Sequence, residues 1–200
     1  IVDIPDPEPP AKGLRIRVMA AGVSFAQSLV VQGKYQRKPP HPFTPGSEVA
    51  GIVEAVGPEA SRFKVGDKVF AVIDWGGLAE KATALEVNTY AIPEGLDFAK
   101  AISITNSYGT SAAALMWPHL LNVQSGQTLL VHGAAGGVGI AAVEIGKILG
   151  ATVIATASSD QKLTIAKAHG ADHTINYSDG SFKDAVMDIT GGRGVNACYD

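Results

Sequence analysis

The run Leu129-Leu130-Val131-His132-Gly133-Ala134-Ala135-Gly136-Gly137-Val138-Gly139 constrains this chain more than any other stretch. An apolar segment that suits a buried strand enters a glycine-rich turn, and the turn opens a helical stretch over 138–149. A strand, a tight turn and a helix joined without a linker make the first part of a βαβ unit. That geometry suits a dinucleotide pyrophosphate, because the backbone is stripped of side chains and free N–H groups sit at the positive helix end. Against the spacing G-x-G-x-x-G, Ala134 stands at the first position, while Gly136 and Gly139 match. Gly136 would allow close approach of phosphates and Gly139 close packing of helix on strand. A glycine turn used for packing alone is the rival reading, and the strand before it and helix after it argue against that.

Strands are expected over 128–132, 152–157, 173–175 and 196–199, with helices over 138–149, 160–169 and 181–190. Alternation of this kind is the signature of a parallel sheet covered on both faces. Upstream the grammar differs. Leu14-Arg15-Ile16-Arg17-Val18 alternates apolar and charged as a half-buried strand does. Residues 24–32 place Phe25, Leu29 and Val30 at helical spacing, closed by Gly33, and a proline-rich loop leads into the β-rich run 49–57. Val65-Gly66-Asp67-Lys68-Val69-Phe70 and Gly76-Gly77-Leu78-Ala79-Glu80 each turn into a further strand. Short strands at this spacing suggest a compact barrel-like β domain. Residues 97–116 read as mostly helical, with a break near Tyr108-Gly109-Thr110, and the domain boundary is expected near residue 105.

The tip of the second parallel strand selects the dinucleotide. NAD sites usually place Asp or Glu there to bind the ribose hydroxyls. Here the strand ends in Ser158-Ser159, with Lys162 following. A carboxylate about 4 Å from a 2′-phosphate would cost roughly 4 kcal/mol at an effective dielectric near 20, so hydroxyls and a lysine favour NADP. Asp160 is the counter-signal, and Ser159 and Lys162 could also serve only to cap and solvate a helix.

Composition removes other classes. Net charge is −3 and the longest basic block is Arg37-Lys38, so nucleic acid is not an expected partner. The apolar stretch 129–157 carries His132, Glu144 and Lys147, which argues against a membrane span. A single cysteine, Cys198, excludes an intrachain disulfide framework and fits a reducing cytosol. It also cannot build a zinc site, and His41, His119, His132, His169 and His173 show no ligand spacing, so they read as surface or packing histidines.

Four motifs in order carry a family resemblance: Pro42-Phe43-Thr44-Pro45-Gly46-Ser47-Glu48-Val49-Ala50-Gly51, Phe63-Lys64-Val65-Gly66-Asp67-Lys68-Val69, the glycine turn 133–139, and Gly170-Ala171-Asp172-His173-Thr174-Ile175-Asn176-Tyr177. Together they resemble the zinc-free quinone oxidoreductase (zeta-crystallin-like) branch of the medium-chain dehydrogenase/reductase superfamily. The resemblance implies an α/β protein: a GroES-like β-rich barrel domain over 1–105, then a Rossmann doubly wound parallel-sheet domain over 106–200, with NADPH in the cleft between them. It also implies a chain incomplete at both ends, holding four of six Rossmann strands, and a homodimer in the longer form.

Carried over by residue, the resemblance assigns Ser158, Ser159, Lys162 and Tyr177 to the 2′-phosphate and adenosine end. It assigns Ala135, Gly136, Gly137 and Val138 to the pyrophosphate, and Tyr108-Gly109-Thr110 to the segment approaching the nicotinamide. Tyr35 and Ser24 are the candidate catalytic residues; Tyr35 resembles a pocket-lining tyrosine, and Ser24 stands where the family often has a nicotinamide-contacting asparagine. Gln27 replaces an acid, which would loosen the same pocket. The implied reaction is metal-free hydride transfer from NADPH to a quinone. An enoyl or alkenal double-bond reductase, and an NADPH-binding structural protein with weak turnover, remain the alternatives.

Overall fold

The alternation in the first strand has the outcome its period requires: Leu14 and Ile16 are fully buried while Arg17 is exposed. In this computed structural model, which describes residues 2–178, 180 and 182–200, the chain divides into two compact units, Ile1–Thr105 and Asn106–Asp200. Among the described residues no helix is long and apolar enough to cross a membrane.

In the first unit β1 (Gly13–Ala21) pairs antiparallel with β2 (Glu48–Val56) and, on its other side, with β4 (Lys81–Leu85). Strand β3 (Lys68–Val72) joins β2 to β5 (Thr89–Ala91), which gives the order β4-β1-β2-β3-β5. The β1–β2 register shifts at Arg15/Ile16 and at Val18/Ala20. Such irregularities bend and twist a strand pair, so the sheet curls around Leu14, Ile16, Val49, Val53 and Val69 into a half-barrel, where the sequence predicts a barrel-like β domain.

The expected helix after β1 forms as α1 (Phe25–Val31), with Leu29 and Val30 half-buried but Phe25 turned outward. Phe25 is 80% exposed and the buried residue is Gln27. The Gln27 amide donates to the Gly22 carbonyl at 2.9 Å, so a polar side chain is satisfied inside and the short helix turns to suit it. The helical run over 97–116 consists of α2 (Phe98–Ser103), a π-helical turn (Ile104–Tyr108) and α3 (Gly109–Met116). The expected break at Tyr108 is that π turn, and Asp97 caps α2 by accepting from the Lys100 N–H at 2.7 Å.

The second unit runs β6 (Thr128–Val131), α4 (Gly137–Ile148), β7 (Thr152–Ala157), α5 (Asp160–Ala168), β8 (His173–Asn176), α6 (Phe182–Ile189) and β9 (Ala197–Tyr199). Ser181, the expected first residue of the last helix, lies outside the described residues. All strand pairs are parallel and the order is β8-β7-β6-β9, the 3-2-1-4 core of a Rossmann sheet. One face packs Leu129, Val131, Val153 and Ala155 against Leu115 of α3 and Ala142 and Val143 of α4. The other packs Leu130, Ile154 and Ile175 against Val186 of α6. Burial on both faces explains why β6 and β7 read as continuous apolar runs rather than alternating ones. Asn196, expected in the last strand, lies just before it; its side-chain oxygen accepts from the Thr128 N–H at 2.9 Å.

Candidate functional site

In the parallel sheet, the connections after β6 and β7 leave from one end, where ligands bind in this architecture. Gly133 takes φ +57 and its carbonyl accepts from Gly136 N–H at 2.9 Å, closing a tight turn. The tight-turn role therefore falls to Gly133, one residue before the first fingerprint position. Ala134 at that position is fully buried, with its N–H donated to the Thr156 carbonyl at 3.1 Å. A Cβ on Gly139 would lie 2.4 Å from the Gly133 carbonyl oxygen and 2.8 Å from Ala134 Cα, so that glycine is required by close packing. At Gly136 the nearest atom to an added Cβ is the Gly133 oxygen at 3.3 Å, and Gly136, Gly137 and Val138 are exposed. Gly136 is the N-cap of α4 and has no side-chain cap. The first-turn N–H groups of Gly137 and Val138 have no intrahelical partner, and Ala135 precedes them half-buried. This cradle fits a dinucleotide pyrophosphate.

The second cluster forms at the end of β7. Ser159 caps α5, its hydroxyl accepting from the Lys162 N–H at 3.4 Å. The helix start turns Lys162 back, so its Nζ donates to the Ser158 hydroxyl at 3.0 Å. Ala157 of β7 is paired with Asn176 of β8, and the next residue, Tyr177, donates its N–H to the Ala157 carbonyl at 3.1 Å. Strand register thus places Ser158 and Tyr177 side by side, the ring of Tyr177 partly exposed. Asp160, the counter-signal in the sequence, is also here: its carboxylate accepts from the Asn176 side-chain amide at 2.9 Å.

Elsewhere in this unit lie contacts that spacing does not reveal. The Tyr108 hydroxyl donates to Glu144 at 2.5 Å, and His169 Nδ1 lies 2.6 Å from the other Glu144 oxygen. The carboxylate beside it, with burial adding to the effect, pushes the Tyr108 phenol up to about 12. The Tyr108 hydrogen bond, opposed by burial and aided by His169, holds Glu144 below its ordinary value. His132 Nδ1 lies 2.7 Å from Thr156 Oγ1 and its ring meets the edge of Phe182, which ties the ends of β6 and β7. Thr110 is exposed on the first turn of α3.

The two catalytic candidates belong to the first unit. Ser24 precedes α1, and its hydroxyl oxygen is buried without a hydrogen-bond partner. Tyr35 is half-buried in the turn after that helix. The side-chain amide of Gln27 is tied to the Gly22 carbonyl. Among the described residues no three His, Cys, Asp or Glu side chains gather as a metal site would require.

Residues 10–109 match the alcohol dehydrogenase GroES-like domain, and residues 137–200 match the zinc-binding dehydrogenase family. The chain belongs to the medium-chain dehydrogenase/reductase superfamily, in which it is quinone oxidoreductase-like. Its similarity to human quinone oxidoreductase is 39% identity over 196 residues, 97% of this chain and 59% of that protein. Escherichia coli quinone oxidoreductase complexed with NADPH superposes with a TM-score of 0.91 at 28% identity, over 100% of this chain and 60% of that one. The CurK enoyl reductase gives 0.88 at 31% identity, over 98% and 60%. The chain thus spans about three fifths of the length of these proteins.

Proposed function

We propose that the chain serves an NADPH-dependent quinone oxidoreductase, with residues 106–200 binding NADPH and residues 1–105 taking the acceptor. The observation that carries this reading is Lys162 bonded to Ser158 at the tip of β7, where an NAD site would present a carboxylate to the ribose. Bound there, NADPH supplies a hydride from its nicotinamide. The chain's own groups bind and orient. The backbone of Ala135, Gly136, Gly137 and Val138 receives the pyrophosphate. Lys162, Ser158 and Ser159 receive the 2′-phosphate, Tyr177 flanks the adenosine and Thr110 stands on the nicotinamide side. Ser24 and Tyr35 line the acceptor end, and Tyr35 or solvent delivers the proton that completes reduction. The reading needs no zinc. A small-molecule acceptor, a homodimer and a cytosolic setting complete it; modest net charge and one cysteine support the absence of nucleic acid and of disulfides.

Likeness to an enoyl reductase supports a second reading, reduction of an α,β-unsaturated carbonyl on the same scaffold. Oxidation of NADPH and NADH by the whole protein, with a benzoquinone and a short 2-alkenal as separate acceptors, separates the two. Quinone turnover with NADPH and little with NADH is the expected result. Turnover of the alkenal alone moves the assignment to double-bond reduction. Tight NADPH binding without turnover of either overturns the enzyme and leaves a structural NADPH-binding protein.

A further inference from the structure

Asp160 sits two residues beyond Ser158, at the first position of α5. A carboxylate in this neighbourhood is what NAD sites use to accept from the ribose hydroxyls, and what repels a 2′-phosphate. Its charge must therefore be managed if the cluster is to take NADPH. The Asn176 Nδ2 donates to Asp160 Oδ1 at 2.9 Å. The direction of that amide is determined, because its oxygen accepts from the Ser178 N–H at 3.0 Å and from the Ser178 hydroxyl at 2.7 Å. A backbone N–H can only donate, so the carboxamide oxygen must face Ser178 and the NH₂ must face Asp160. Register places the whole arrangement beside the strand tip, since Asn176 is paired with Ala157.

We propose that Asn176 is a specificity-determining residue: it holds the Asp160 carboxylate on the β8 side and keeps it off the 2′-phosphate subsite formed by Ser158 and Lys162. The inference rests on the NADPH reading of that subsite. Asn176 acts through Asp160 and is a positioning residue. Removing it frees the carboxylate to turn toward the phosphate, and neutralising Asp160 at the same time removes the penalty.

Calorimetric titration of the whole protein with 2′,5′-ADP and with 5′-AMP reads this without turnover. The wild type is expected to bind 2′,5′-ADP the more tightly. Asn176→Ala is expected to weaken 2′,5′-ADP about tenfold and to leave 5′-AMP unchanged, and the double variant Asn176→Ala/Asp160→Asn is expected to recover the lost affinity. Asp160→Asn alone is expected to change little, because the carboxylate is already held away. It also serves as the test should Asn176→Ala fail to fold. A tenfold gain from Asp160→Asn alone overturns the proposal, since the charge would then reach the phosphate with Asn176 in place. Loss in Asn176→Ala without recovery in the double variant also overturns it, because Asn176 would then act only on the 176–178 turn. An unchanged Asn176→Ala overturns it and leaves the NADPH reading standing. A wild type that does not favour 2′,5′-ADP overturns both.

Discussion

The antiparallel sheet of the first unit curls around its main core and carries the smaller cluster of Ala50, Phe70 and Ala101 of α2 besides, whereas the parallel sheet of the second packs its connecting helices on both faces. The contrast determines where each unit can offer chemistry. In the second unit, parallel strands bring the ends of β6, β7 and β8 to one edge, so the candidate groups meet because the strand order requires it. In the first unit, Ser24 and Tyr35 sit in connections, and local contacts such as Gln27 with Gly22 set their surroundings. Candidate binding groups are thus a product of topology in one unit and of loop packing in the other.

The largest effect is expected at Gly139. Its missing Cβ would overlap the Gly133 carbonyl and the Ala134 backbone, neither of which can yield without opening the turn. Gly139→Ala is expected to cost about 3 kcal/mol in urea unfolding and to weaken NADPH by more than about tenfold. Wild-type binding by this variant would break the claim that topology and close packing build the site.

Next comes the brace beneath the sheet. Lys147 donates to both Asp172 oxygens, at 2.9 and 2.7 Å, and to the Ala151 carbonyl at 3.1 Å. Lys147→Met is expected to cost about 1–3 kcal/mol, read by the same unfolding curve. The same groups make the second unit acid-sensitive. Burial raises the Asp172 carboxyl, but the Lys147 hydrogen bond, the Val153 N–H and nearby positive charge outweigh it and hold it below 3.8. Glu144 lies below 4.5, chiefly through Tyr108. Depressed carboxylates stabilise the fold fully above their ordinary values and lose that contribution as pH falls through the folded ones. Thermal melting should therefore fall on acidification below about pH 4, and less steeply in a Glu144→Gln variant. Equal slopes would remove Glu144 from the account.

Lys162→Ala sharpens the comparison at the ligand. It is expected to raise the NADPH dissociation constant about tenfold and to leave NADH unchanged, as a lost charge-assisted phosphate contact should. An equal loss for both cofactors would make Lys162 a helix residue without a role in selection. The smallest effect belongs to the first unit. Ser24→Ala removes a buried hydroxyl that has no partner, and is expected to be neutral or up to about 1 kcal/mol stabilising. A clear loss of stability would mean that the hydroxyl is satisfied within the unit, while a loss confined to turnover would support its assignment to the acceptor end.

Much of this protein is legible in its sequence, and the reason is physical. The glycine turn is a set of consecutive residues, so the strand, turn and helix that create the phosphate cradle are written in order. The pair of Ser158 and Lys162 lies four residues apart across a helix start, a spacing that local geometry nearly dictates. Alternating strands and helices left the parallel sheet as the natural arrangement. Tertiary structure alone decided what depends on register between distant segments. Asn176 reaches Asp160 across 16 residues, and Glu144 gathers Tyr108 and His169 from 36 and 25 residues away. The inward turn of Gln27 instead of Phe25 differs in kind: its acceptor is only five residues away, but it lies outside the helix, where helical period does not reach. Period and propensity describe a segment and its immediate neighbours; which side chain meets which across a sheet edge or between helices is settled only when those segments pack.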